Sequence, residues 1–499
     1  MLDAFLADKP HEECGLVGIV ANSPHSLRME SENCDDAQKR IDAQPAFSAF
    51  HALYALQHRG QKSAGIAVSN GSHIRCKKGN GLVPDVFDPN SLKELSGFMT
   101  IGHVRYADEN NASEVNAQPL CVETRGEQIA LAINGSLVNA AQLRRRIESR
   151  GGIFQTTSDA EVILYTIVYE RLNAPSLEDA VVSAIRQFQG AFSILIMSKD
   201  KLIAVRDPYG FRPLCIGRNV DGLVIASESC ALDAVEAVFE RDVQPGEVVV
   251  AEAGRMKSFF SKAPGRCALC AFEFVYMARP DSVIDGQAVE TARNLAGRRL
   301  AHSSPVDADI VVGVPDSGLS AALGYAEESG IPYGIGFIKN RYVGRTFIQE
   351  TQGMRESSLK LKLNAFKMVV KGKRVVMVDD SIVRGTTIHR VVRLLREAGA
   401  TEVHMRVASP PYAHPCYFGT DVMDRDQLMV NRYRADEMAR EIGVNTLAFL
   451  KYEDLPATMP DLKIGWCDAC FSGEYPIPIA SERVRNVKNR NRNEEEETA

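Results

Sequence analysis

Val375 to Thr387, VVMVDDSIVRGTT, limits the fold of this chain more than any other stretch. Val375 to Val378 is a short β-branched and apolar run, the pattern of a strand buried on both faces. It stops at two carboxylates, Asp379 and Asp380. Ser381 to Thr387 then makes a loop with one glycine, Gly385, and small hydroxyl residues. From Ile388 the apolar positions Ile388, Val391, Val392, Leu394, Leu395 and Ala398 fall at helical spacing, and Gly399 ends the run. Strand, loop and helix in that order build a parallel sheet flanked by helices, with the ligand beyond the carboxyl end of the strand.

Charge placement narrows the ligand. Backbone N–H groups of Arg384 to Thr387, at a helix start, suit a phosphate. The aspartates suit sugar hydroxyls or a Mg²⁺ ion. A phosphate at one end and a diol in the middle describe a ribose 5-phosphate. Here the stretch resembles the motif with which phosphoribosyltransferases bind phosphoribosyl pyrophosphate (PRPP). The resemblance implies PRPP contacts from Asp379, Asp380, Ser381, Arg384, Gly385, Thr386 and Thr387. The plainer alternative is a buried strand whose aspartates cap the next helix.

The chain has 499 residues, room for two or three domains. A formal net charge of −6 gives no reason to expect nucleic acid as a partner, and no apolar run approaches a membrane span. The opening residues, MLDAFLADKPHEE, lack the basic start and apolar core of a secretory signal, and they are not the Arg-rich, acid-poor type of a transit peptide. Eleven scattered cysteines without an export signal point to reduced thiols in the cytoplasm, with a metal or catalytic role for any cluster.

In the first half, Cys14 opens a strand-like run, Gly15 to Val20. Alone it would read as a small buried hydrophobe. It is followed by Arg59-Gly60 in LQHRGQKSAG, by Gly102-His103-Val104-Arg105-Tyr106, by Asn134-Gly135-Ser136-Leu137 and by Ser158-Asp159-Ala160-Glu161. RDPYGFRPL (206–214) and ASESCALD (226–233) complete the series. Together these resemble the class II glutamine amidotransferases, which are N-terminal-nucleophile hydrolases with an αββα sandwich. The resemblance implies that residues 1–13 are a propeptide and that residues 14–255 form the glutaminase domain. With the propeptide removed, the α-amine of Cys14, titrating near 8, serves its own thiol as general base. The resemblance further implies an oxyanion hole from Asn134 and the Gly135 N–H, and glutamine contacts from Arg59, Arg105 and Asp159. Taken singly, these residues would be a surface arginine, an Asn-Gly turn and a helix-capping aspartate. One position departs from the family: Asp108 stands where a threonine usually follows the arginine by three, and a carboxylate there would repel that of glutamine.

From Phe272 the reading changes. FVYMARPDS (274–282) resembles the opening of the transferase half of glutamine PRPP amidotransferases, and residues 270–478 are expected to form that domain. Asp309 to Pro315 reads as a second strand, ending in Asp316-Ser317-Gly318. Its loop suits the pyrophosphate, with Ser317 near the metal. Ile338 to Phe347, which holds Lys339, Arg341, Tyr342 and Arg345, reads as a loop that closes over the phosphates. The family usually continues with Gln-Pro where this chain has Gln349-Glu350. Cys270, Cys416, Cys467 and Cys470 resemble the [4Fe–4S] ligands of one branch of the family. Structural zinc and buried free thiols are the alternative uses of such cysteines. Residues 481–499 read as a disordered polar tail.

Joined in one chain, the two halves resemble the amidophosphoribosyltransferase family. That implies conversion of glutamine, PRPP and water to 5-phosphoribosylamine, glutamate and pyrophosphate, the first committed step of purine synthesis. It also implies Mg²⁺ and one [4Fe–4S] cluster per subunit, a homotetramer, and inhibition by purine nucleotides. The reading from another class is a PRPP-binding regulatory protein with an inactive glutaminase domain, which Asp108 would permit.

Overall fold

The computed structural model describes residues 14–22, 45–106, 113–261, 265–340, 363–385, 388–420, 422 and 424–479. The expected propeptide, Asp108, Arg341, Tyr342, Arg345, Gln349-Glu350, Thr386, Thr387 and the tail from 481 lie outside the described residues.

The first half is a sandwich of two antiparallel sheets. One has seven strands and places Gly15–Ala21 between Gly222–Ala226 and Met99–Arg105, with Ser63–Ser69 and Ile74–Asn80 beyond. The other has six strands and places Glu127–Leu137 between Leu120–Thr124 and Gly190–Met197. Strand side chains alternate between faces, so each sheet buries two sets. Leu16, Ile101, Ala132, Leu195 and Ile216 fill the space between the sheets. Val17, Ile66 and Val104 turn outward against the helix Pro45–Ala55. Ile133, Ile194 and Val248 turn outward against the helices Asp159–Arg171 and Leu177–Ile185. The result is the αββα layering expected of the glutaminase domain.

The second half is built on a four-stranded parallel sheet in the order Ile310–Gly313, Arg374–Asp379, Glu402–Val407, Thr446–Phe449. The run at 375–378 is a strand buried on both faces, as expected, and it extends one residue to include Asp379. Val376 and Val378 pack under the helices Val289–Ser303 and Leu319–Ser329. Val375 and Met377, one position out of phase, pack under Ile388–Glu397 and Ala435–Ile442. Gly399, at φ +98°, ends the helix that starts at Ile388.

The expected loop from Ile338 begins differently. Phe337–Lys339 is a short strand paired with Leu363–Ala365. Three residues against a local partner give no period that sequence could show.

Buried charges join the two halves. Arg206 donates to both oxygens of Asp285, at 3.1 and 2.6 Å. Arg212 donates to the carbonyl of Phe418 at 2.9 Å. Arg59 pairs with Glu228 and, at 2.5 Å, with Glu273, and all three side chains are buried. Such pairs add little net stability, but removing one partner strands the other.

Candidate active site

The first centre forms where Gly15–Ala21 begins. Gly15 pairs with Val104, so the antiparallel register, continued one step, sets Cys14 opposite Arg105. Arg105 is buried, and its carbonyl accepts the N–H of Lys62 at 2.9 Å, which holds the Arg59–Lys62 loop over it. The Cys14 N–H donates to Asn134 Oδ1 at 3.4 Å. Asn134 Nδ2 is buried and has no hydrogen-bond partner among the described residues.

Asn134-Gly135 lies inside the strand Glu127–Leu137 and is not a turn. Gly135 has φ +134°, and a Cβ there would lie 2.0 Å from the carbonyl oxygen of Ala191, so only glycine fits. Asp159 joins from the next layer. Its Oδ2 accepts from Ser136 Oγ at 3.0 Å and from the Leu137 N–H at 2.9 Å. It does not cap its helix: the cap is Ser158, which accepts from the Ala160 N–H. Cys14, Arg105, Asn134, Gly135 and Asp159 are therefore gathered in one place.

Arg59, expected at the glutamine, has its guanidinium on Glu228 and Glu273. Burial alone would raise the pKa of Glu228. Arg59, then His58 and the Ser282 hydroxyl, hold it well below the usual carboxylate range. Glu228 also accepts the Arg279 N–H at 2.9 Å and Ser282 Oγ at 2.6 Å. Reasoning from sequence missed Glu273. Its available sign was one carboxylate in the apolar run AFEFVYM.

The second centre lies at the carboxyl ends of the parallel strands. The Asp379 and Asp380 side chains are buried. Ser317 Oγ donates to Asp380 Oδ1 at 2.5 Å, and Ser381 Oγ donates to Asp380 Oδ2 at 2.7 Å. The Asp380 N–H donates to Asp379 Oδ1 at 2.9 Å. Gly385, at φ +80°, leads toward the helix at Ile388, and a Cβ there would lie 2.3 Å from Met429 Sδ. Arg384 follows the same turn, and its carbonyl accepts from Arg432. Lys339 lies at the rim and pairs with Asp316 at 2.5 Å. Two carboxylates and one hydroxyl match what Mg²⁺ takes from protein when phosphates and water complete its shell.

The third cluster is cysteine. Cys270 and Cys467 are register partners in a two-residue parallel pair. With Cys416, Cys470, Phe272 and Tyr412 they line one cavity. The Phe418 N–H points at Cys416 Sγ, 3.5 Å away. Burial, then the neighbouring Cys270, Cys416 and Cys467, push the Cys470 thiol well up, and burial pushes Cys467 up to about 12. No three His, Cys, Asp or Glu side chains among the described residues come close enough to share a single metal ion. Four thiols therefore share one cavity.

Comparison with known proteins agrees with both halves. A family model described as a glutamine amidotransferase domain matches residues 103–234, and one described as a phosphoribosyl transferase domain matches residues 286–413. The amidophosphoribosyltransferase of Bacillus subtilis is 47% identical over 441 residues, which span 87% of this chain and 92% of the relative. The chain belongs to the amidophosphoribosyltransferase family. The amidophosphoribosyltransferase of Synechocystis is 45% identical over 492 residues, covering 98% of this chain and 95% of the relative. A solved glutamine PRPP amidotransferase from B. subtilis, complexed with ADP and GMP, superposes with a TM-score of 0.84 at 44% identity, covering 94% of this chain and 98% of that one. No helix among the described residues is long and apolar enough to cross a membrane.

Proposed function

We infer that this chain converts glutamine, PRPP and water to 5-phosphoribosylamine, glutamate and pyrophosphate, the first step of purine biosynthesis. The observation that carries this is the unpartnered Nδ2 of Asn134 beside Cys14. It is a buried donor kept for an oxygen that acquires charge only during reaction, on a body that also holds the Asp379/Asp380 site.

In the reading we propose, residues 1–13 are removed from a glutaminase domain, 14–255, joined to a transferase domain, 270–478. The freed amine of Cys14 takes the thiol proton, and the sulfur attacks the glutamine side-chain amide. Asn134 Nδ2 and the Gly135 N–H receive the oxyanion. Arg105 pairs with the substrate α-carboxylate and Asp159 with its α-ammonium. The tetrahedral intermediate expels ammonia, and water then releases glutamate from the thioester. Arg59 holds the loop above Arg105 and acts as a positioning residue.

At the transferase site, Asp379 and Asp380 accept the ribose hydroxyls, and the turn from Ser381 through Arg384 and Gly385 to Thr386 and Thr387 carries the 5-phosphate. Lys339, Arg341 and Tyr342 close over the pyrophosphate. Asp379, Asp380 and Ser317 would hold Mg²⁺, which when bound neutralises the leaving pyrophosphate. Ammonia attacks C1 as pyrophosphate departs, and water must be excluded so that the nitrogen keeps its lone pair. A mostly apolar cavity lined by Ala271, Phe274, Val275 and Ala292 reaches Ser317 and Asp380, which supports a dry approach for ammonia.

Cys270, Cys416, Cys467 and Cys470 would hold a [4Fe–4S] cluster that ties the end of the chain to the domain junction. Four cysteines lining one cavity support this reading. Purine nucleotide inhibition, a homotetramer and a cytoplasmic location belong to the same proposal, the first supported by the ADP and GMP of the solved relative.

The test mixes the chain with glutamine, PRPP and Mg²⁺. Glutamate and pyrophosphate in equal amounts are expected. PRPP binding without turnover would favour the regulatory protein instead. N-terminal sequencing should begin at Cys14, and an absorbance scan should show the brown colour of a cluster.

A further inference from the structure

Ile74–Asn80 and Leu120–Thr124 are the outermost strands of their respective sheets. Side-chain ties draw the two sheets together beside these edges. The Ile74 N–H donates to Gln128 Oε1 at 2.8 Å, and Lys78 Nζ donates to the carbonyls of Ala117 and Pro119 at 2.6 and 3.1 Å. Cys76 stands between these ties, on the same strand face as Lys78. Its Sγ lies 3.8 Å from the Pro119 carbonyl, two residues before Cys121, and its thiol neighbours that of Cys121. Both cysteines are exposed. Neither lines the cavity at Cys470, and no step of the reaction uses them.

We propose that Cys76 and Cys121 form a dithiol modification site that exchanges with small disulfides of the glutathione class and closes as a Cys76–Cys121 disulfide across the two sheet edges.

Cys76 is the attacking sulfur. The Cys121 S–H contact lowers its pKa, Lys78 adds to this, and the same contact pushes Cys121 up. The Cys76 thiolate attacks one sulfur of RSSR, breaking that S–S bond and releasing RS⁻. Cys121 loses its proton and attacks the Cys76 sulfur of the mixed disulfide, releasing the second RS⁻. Two protein thiols and one RSSR become one protein disulfide and two RSH, so the protein loses the two electrons that RSSR gains. Closure brings the two sulfurs to about 2.0 Å.

The bond would fix residues 113–119, which lead into the strand of Cys121. Asn116 Nδ2 donates to Thr157 Oγ1 at 3.0 Å, and the Thr157 N–H donates to Asn116 Oδ1 at 3.1 Å, two residues before Asp159. An effect on glutamine use rests on the function proposed above; the crosslink itself does not.

The full-length protein, treated with glutathione disulfide, would be alkylated and digested without reductant. A peptide joining Cys76 to Cys121, released by dithiothreitol, is expected, together with a higher thermal midpoint. Cys121→Ser should stop at a glutathione adduct on Cys76. In Cys76→Ser, Cys121 should react at least about tenfold more slowly than Cys76 does in Cys121→Ser. Free alkylation of both cysteines in the treated parent, with no joined peptide, overturns the proposal. So does Cys121 reacting in Cys76→Ser as fast as Cys76 does in Cys121→Ser. In the closed form the KM for glutamine should move and that for PRPP should not; equal shifts would overturn the assignment of the bond to the glutamine wall.

Discussion

The Cys14 N–H donates to Asn134 Oδ1, and this leaves the opposite end of that amide, Nδ2, buried without a partner among the described residues. An unmet buried donor costs about 1–3 kcal/mol. The cost is offset if the donor is met in the transition state. Asn134→Ala should therefore lower the glutamine-dependent kcat by about 100- to 1,000-fold. With ammonium salt as nitrogen source the rate should stay at that of the parent. Equal losses with both sources would remove Asn134 from the glutamine half.

Asp380 sits between two hydroxyl donors, Ser317 and Ser381. Asp380→Asn should reduce PRPP turnover by about 100-fold or more with either nitrogen source, since both converge on the same sugar. Ser317→Ala removes one charge-assisted hydrogen bond and should cost about tenfold. Pyrophosphate release measures both.

Glu273 is fully buried, between Arg59 at 2.5 Å and Arg212 at 3.7 Å. Glu273→Ala should destabilise the fold by about 3–5 kcal/mol, because Arg59 and Arg212 would keep their charge in a site built around that carboxylate. A fall in thermal midpoint checks it. An unchanged midpoint would mean that water reaches the junction.

His103 is buried, and its pKa is pushed down to about 3, chiefly by burial. Its Nε2 faces the carbonyl of Ile133 at 3.0 Å and must donate to it. An unfolded histidine titrates near 6.5. Between these values the unfolded chain binds a proton that the folded chain refuses. Stability should therefore fall as pH drops from about 6.5 toward 3, by about 1.4 kcal/mol per unit for this group. His103→Gln should flatten that acid limb in denaturation measured across pH.

Gly385→Ala should strain the phosphate turn by about 1–2 kcal/mol, because φ there is +80° and Met429 occupies the space a methyl group would need. The KM for PRPP should rise while glutaminase activity persists.

What could be read from sequence depended on how local the signal was. The strand before Asp379 and the helix after it follow from apolar spacing over a dozen residues, and the structure has both. The sandwich has no such local mark: its strands pair across long gaps, and only the resemblance brought them together. Arg59 was legible as a motif residue but not as an ion pair, because its partners lie 169 and 214 positions away. Lys339 read as part of a loop because a three-residue strand shows no period. Cys76 and Cys121 read as scattered thiols because their strands belong to different sheets.

The Arg206–Asp285 and Arg59–Glu273 contacts bear on how such a chain can be inherited. Each half carries the counter-ion of a charge buried in the other. Splitting the gene at the junction would yield two polypeptides, each lacking a partner that these charges have in the joined chain. The two activities therefore share one interior and are made as one unit.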